Sequence, residues 1–204
     1  MSENPGTSGK ADVLGVPELS LVVLVGASGS GKSTFAARHF PPTRVLSSDR
    51  FRAMVADDEN DQSATADAFE TLRFVAGKRL AAGRTTVVDA TNVQKHARQQ
   101  WIELAREHDV PAVAIVLDLP ESVCLDRNAR RSDRDFGAHV VRKHRSNLRK
   151  SLKSLPHEGF RRVHVLTSET AVASASIRFD ELPNDARHGT GPFDVTGDRD
   201  LNRR

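Results

Sequence analysis

The residues Gly26-Ala27-Ser28-Gly29-Ser30-Gly31-Lys32-Ser33 meet every position of the pattern G-x-x-x-x-G-K-S/T. This set of residue types suits the binding of a polyphosphate. The glycines let backbone N–H groups turn inward and approach an anion closely, where a Cβ would obstruct. Lys32 brings a point charge to the β- and γ-phosphates, and the Ser33 hydroxyl is a hard oxygen ligand for Mg²⁺. Thr34 leads into Phe35-Ala36-Ala37-Arg38-His39-Phe40, a helical segment whose N-terminal dipole adds to the attraction. Before the loop, Leu19 to Val25 is an apolar, β-branched run, which predicts a buried strand. Strand, glycine loop and helix start together predict a nucleoside triphosphate site for ATP and Mg²⁺. Its contacts would be Gly26, Ser28, Gly29, Ser30, Gly31, Lys32, Ser33 and Thr34.

Further charged residues stand at the ends of other apolar segments. Asp49 follows Val45-Leu46-Ser47-Ser48 and precedes a stretch with Arg50 and Arg52. Two roles fit Asp49. As a general base it would accept the proton of an acceptor hydroxyl aligned with the γ-phosphorus. As a helix cap it would satisfy orphan backbone N–H groups. Asp89 closes Thr86-Val87-Val88-Asp89, where a carboxylate beside the phosphate loop would hold Mg²⁺, directly or through water; turn formation before Thr91 and Asn92 is the alternative. Arg127 and Arg131 lie four apart, so on a helix they share a face fit to clamp a transferring phosphoryl group. Arg130 and Arg134 form an equivalent offset pair, and spacing alone does not choose between them.

The elements that must position these residues follow from hydrophobic pattern. Strands are predicted at Leu19–Val25, Arg44–Asp49, Thr85–Asp89, Ala112–Leu117 and, last, Arg162–Leu166, and helices at 64–82, 94–108, 121–131 and 136–155. Alternating strands and helices imply right-handed crossovers, hence an α/β fold with a parallel sheet flanked by helices. Ligands of such sheets bind beyond the strand C-termini, which groups the loop at Gly26, Asp49, Asp89 and the residues after Leu117 at one edge. With 204 residues, one domain is expected, and a hydrophobic fraction of 38% leaves room for unpacked segments. Between Glu121 and Arg162 there are 12 Lys/Arg against 5 Asp/Glu, an excess that suits an acidic ligand. The single cysteine, Cys124, lies on the apolar face of a helix, as a buried structural thiol would. One cysteine, no apolar run of membrane-spanning length and no signal-peptide core point to a cytoplasmic protein with no membrane partner.

Together these segments resemble the 5′-kinase module of the bacterial polynucleotide kinase-phosphatases of RNA end repair. The similarity runs from Leu19 to Thr167. It includes the loop, S-S-D-x-x-R (Ser47 to Arg52), D-D-E-N-D-Q (Asp57 to Gln62), V-V-D-A-T-N (Val87 to Asn92) and the segment Arg127 to Arg134. The resemblance implies a P-loop kinase fold with a basic helical lid. Asp49 would be the general base, Arg52 the contact to the phosphate of the acceptor strand, and Arg127 with Arg131 the clamp on the β- and γ-phosphates. In that family a metallophosphatase follows the kinase and opens with a sequence like Gly191-Pro192-Phe193-Asp194-Val195-Thr196-Gly197-Asp198. Asp198 matches its first metal-binding acid, whereas Asp200 stands where a metal-binding histidine is expected. The implied division is a leader over 1–17, a kinase domain over 18–182, and a linker with a truncated phosphatase-like tail over 183–204.

The leading expectation is a polynucleotide 5′-kinase that acts on 5′-hydroxyl ends of RNA or DNA, with phosphatase or ligase activities supplied by separate partners. A P-loop kinase of a small metabolite or antibiotic shares the loop, base and lid but does not need the basic acceptor side. A catalytically silent ATP-binding regulator is set against by intact Lys32, Asp49 and Arg127. The absence of tyrosine and the core position expected for Trp101 argue against base-specific reading.

Overall fold

At the centre of the fold are β2 (Leu21–Gly26) and β5 (Ala112–Leu117), in which every residue is buried. Near-continuous apolar strands of this kind are sustainable only with helices on both faces. In the computed structural model, which describes residues 12–130, 137–181 and the short strand 194–196, both faces are covered. β1 spans Val13–Pro17, α1 Lys32–His39, β3 Val45–Ser47, α2 Ser48–Ala56 and α3 Thr65–Ala81. β4 spans Thr86–Asp89, α4 Lys95–Glu107, α5 Glu121–Ala129 and α6 Ala138–Ser151. β6 (Arg162–Leu166), α7 (Glu169–Ser174), β7 (Ser176–Asp180) and β8 (Asp194–Thr196) follow. The main sheet has the order β3-β4-β2-β5-β6-β8, and every pairing is parallel. The expected α/β architecture and the five expected strands are therefore present.

Strand periodicity divides the core. Leu21, Val23 and Val25 point to one face and pack with Leu72 of α3 and Trp101 and Ile102 of α4. Val22 and Leu24 point to the other and pack with Phe35 and Phe40 at α1 and Leu166 of β6. α3 stops where Gly83 takes a left-handed φ of 66°, a conformation glycine adopts without a Cβ penalty.

Two segments differ from expectation. Val13–Pro17, assigned to the leader over 1–17, is a strand pairing in parallel with β7, and Leu14 and Val16 are buried; residues 1–11 lie outside the described residues. Gly15 and Pro17 interrupt its pattern, and its partner lies at the far end of the domain. The segment read as a tail also contributes β8, whose backbone pairs with β6 so that Asp194 stands opposite Arg162. The rest of Gly191 to Asp198 and Asp200 lie outside the described residues.

Candidate active site

The loop after β2 is held from behind. The Asn92 side chain donates to Leu24 O at 2.8 Å and accepts from Trp101 Nε1 at 3.1 Å, and Gly26 N donates to Thr91 O at 3.0 Å. Arg98 donates to Asn92 O at 2.8 Å and is itself fixed by a fully buried two-bond pair with Glu158, each bond 2.7 Å. The D-A-T-N segment thus anchors the strand that carries the phosphate loop.

The loop also has a roof. Gly29 has φ 78°, and a Cβ there would run into the Cys124 carbonyl oxygen of α5. Gly31 has φ 90° and caps α1. Its Cβ would lie 3.2 Å from Arg127 Nη1, which puts that guanidinium against the loop. Cys124 is buried, and burial pushes its thiol pKa up, as befits a packing residue. The first turn of α1 has no acidic residue, so the dipole at this helix start is open to an anion. Lys32 is buried and donates to Gly26 O at 2.9 Å and Ala27 O at 2.8 Å.

A cleft of about 710 Å³ opens over this loop. Ser28, Gly29, Gly31, Lys32, Ser33, Thr34, Asp49, Arg52, Asp89 and Arg127 all line it, which gathers most of the residues singled out from the sequence. Gly26 and Ser30 are buried and stand behind that wall. Strand register explains the grouping. Asp89 is level with Leu24 of β2 on one side and Ser47 of β3 on the other, so it sits between the loop and the start of α2. The N-cap of α2 is Ser47, so Asp49 belongs to the first helical turn and is not the cap. Arg52, one turn on, is ion-paired with Asp49 and donates through Nε to Glu59 O at 3.0 Å. Burial lowers the pKa of Arg52, with the charge of Glu59 opposing.

Arg127 of α5 and Arg130 at its C-cap part company. Arg127 lines the cleft and binds Glu169 at 2.6 Å. Arg130 is exposed and pairs with Asp126 at 3.0 Å. Arg131 and Arg134 lie outside the described residues. For Mg²⁺, the cleft offers hard oxygens from Ser33 and Asp89, and among the described residues there is no cluster of three His, Cys, Asp or Glu that would form an all-protein cage. That donor set fits a magnesium ion completed by phosphate oxygens and water.

Residues 21–155 match the sequence model of a family described as an AAA domain. The chain belongs to that family. Over an alignment of 184 positions that covers 86% of its length, this AAA-family chain is 29% identical to transcription factor bHLH140 of Arabidopsis thaliana. The chain spans only 18% of that relative. Its fold is also that of a chain in the structure of the Pnkp1/Rnl/Hen1 RNA repair complex, with 24% identity, 68% of this chain and 47% of that chain covered, and a TM-score of 0.58. A chain of AvrRxo1-ORF1:-ORF2 with ATP is similar at 16% identity, covering 68% and 50%, with a TM-score of 0.53. These likenesses make the domain a P-loop kinase-like α/β fold. Among the described residues, no helix of this AAA domain is long and apolar enough to cross a membrane.

Several cleft residues escaped the sequence reading. Gln62, Thr65 and Phe69 come from the α2–α3 connection and the start of α3, and Glu169 from α7. His144 of α6 also lines the cleft, and its Nδ1 lies 3.3 Å from Ser28 Oγ. Burial, then the charges of Lys32 and Lys143, push its imidazole down to about 4. A signal did exist, because His144 falls on the stripe of Val141 and Leu148, the buried face of α6. The surrounding lysines and arginines concealed it as part of a solvated basic run.

Proposed function

We propose that this chain is an ATP-dependent polynucleotide 5′-hydroxyl kinase. The observation that carries the reading is one cleft lined by both halves of a phosphoryl-transfer pair, Lys32 and Ser33 at the loop, Asp49 and Arg52 across from it. Backbone N–H groups of the loop and the start of α1 hold the β- and γ-phosphates. Lys32 leaves its carbonyl partners for the phosphate oxygens. Arg127 closes from α5 onto the charge that spreads over the transferring group. Asp49 accepts the proton of the attacking 5′-hydroxyl, and Arg52 orients that carboxylate and faces the acceptor's phosphate. Ser33 and Asp89 would hold Mg²⁺, which when bound supplies positive charge against the phosphates. Most of the catalysis is positioning, since phosphoryl transfer asks for little covalent help.

A polynucleotide acceptor is favoured by the exposed cations of α6 and its C-terminal turn, Lys143, Arg149, Lys150 and Lys153, and by the fold shared with a chain of an RNA repair complex. A second reading, a small hydroxylated acceptor, draws on Arg52, which is 7% exposed and already bonded to Asp49 and Glu59. Transfer of labelled γ-phosphate from ATP to 5′-hydroxyl RNA, 5′-hydroxyl DNA and a panel of small alcohols separates the two. Label on the nucleic acids alone supports the first, and label on an alcohol alone replaces it with the second.

A further inference from the structure

We infer that His144 is a nucleotide-positioning residue, its Nδ1 accepting from the Ser28 hydroxyl and its Nε2–H donating to the triphosphate of the bound nucleotide. The inference rests on the ATP site proposed above and adds to it a contact from α6, an element outside the loop, the base and the arginine clamp.

Geometry carries it. His144 reaches the phosphate loop itself, with Nδ1 3.3 Å from the hydroxyl of buried Ser28, and it lines the same cleft as Gly29, Lys32 and Arg127. Among the described residues nothing hydrogen-bonds its Nε2. α6 is anchored at both ends of this contact. Val141 packs under α5 with Cys124, and the Ser151 hydroxyl donates to Val93 O at 2.8 Å. The imidazole is therefore delivered to the loop by a helix held on both sides of it.

The chemistry of the ligand selects the tautomer. A phosphate oxygen only accepts, so a ring nitrogen facing it must carry hydrogen. That places the proton on Nε2 and leaves Nδ1 as the acceptor for Ser28 Oγ–H. Burial and the charges of Lys32 and Lys143 push the imidazole of the free protein down to about 4, so it meets the nucleotide as a neutral ring with one donor and one acceptor.

Isothermal titration of the full chain with ATP and Mg²⁺ tests this, with two isosteric variants. His144→Asn puts an amide where Nδ1 lies but has nothing at the reach of Nε2. His144→Gln puts an amide nitrogen near Nε2. The expected result is a Kd for ATP raised roughly tenfold in His144→Asn, as for one lost hydrogen bond to a charged acceptor, and within about threefold of wild type in His144→Gln. Imidazole ¹⁵N spectra of the wild type, expected to display the Nε2–H tautomer and a shift of Nε2 on ATP addition, give a readout that packing alone would not move. Wild-type affinity in His144→Asn, or equal weakening in both variants with an unmoved Nε2 signal, overturns the inference and leaves the kinase reading standing. A wild type that binds no ATP overturns both.

Discussion

Arg52 donates to the Asp49 carboxylate from one turn further along α2, and its Nε bonds the carbonyl of Glu59 in the loop that follows. Asp49 and the D-D-E-N-D-Q loop are thereby joined through one guanidinium. The loop helps order itself, since Asp61 accepts from Ser63 N at 2.8 Å and Ser63 Oγ at 2.6 Å. It then delivers Gln62 and Thr65 to the cleft. A carboxylate fixed by a buried arginine keeps one rotamer, which is what a base that must meet a hydroxyl in line with phosphorus requires.

Arg127 and Arg130 provide a test of which face of α5 closes on the nucleotide. Arg127→Ala should lower kcat/KM for ATP on the order of 10²-fold, and Arg130→Ala should stay within about twofold, as for an exposed ion pair. Steady-state rates against ATP concentration decide it. A large loss at Arg130 with none at Arg127 would reverse the face.

The buried pair of Arg98 and Glu158 should matter first for stability. Glu158→Ala leaves a guanidinium buried without its partner, at a cost of about 3–5 kcal/mol, or roughly 6–20 °C in Tm for a domain of this size. The double change Arg98→Met with Glu158→Leu should recover much of that loss. Calorimetry of the three proteins checks it, and a Tm for Glu158→Ala equal to wild type would contradict the role given to this pair.

His144 should leave a mark on acid stability. Its folded-state pKa of about 4 lies below the ordinary 6.5, so the unfolded chain takes the proton first. The neutral imidazole's contribution is therefore complete above pH 6.5 and is lost as pH falls from there toward 4. Up to about 3 kcal/mol is at stake. Urea unfolding across that range should show a steeper acid-side loss in wild type than in His144→Gln. Parallel curves would mean the imidazole protonates without penalty.

Removal of everything after Pro183 should leave phosphoryl transfer intact and cost at most a few degrees in Tm, on the order of 1 kcal/mol. What the described part of that segment adds to the sheet is β8, a three-residue edge strand on β6, far in strand order from β2 and its loop. Equal specific activity of residues 1–183 and the full chain supports this; loss of activity would mean the segment reaches the cleft.

The parts of this molecule legible in the sequence were those with local cause. β2 and β5 could be read because strands buried on both faces must be apolar throughout, and the loop because its glycines and Lys32 have few other uses. β1 and β7 could not, since Gly15 and Pro17 break the pattern of the first, the alternation of the second is only five residues long, and each exists by pairing with a segment about 160 residues away. Side-chain roles divided in the same way. Whether Asp49 caps or faces the cleft depended on where α2 begins, and that is at Ser48. Whether Arg127 or Arg130 faces the loop depended on the rotation of α5, set by Cys124 against Gly29. His144 needed the tertiary contact to Ser28 to stand out from the basic run around it.

The central claim is that Asp49 acts as the base for an acceptor hydroxyl in the cleft that holds ATP. Single-turnover transfer of labelled γ-phosphate to 5′-hydroxyl RNA, wild type against Asp49→Asn at saturating ATP, tests it most directly. The account predicts a rate lowered on the order of 10²–10⁴-fold, with ATP affinity and Tm close to wild type. A folded Asp49→Asn protein that phosphorylates the RNA at the wild-type rate would contradict it.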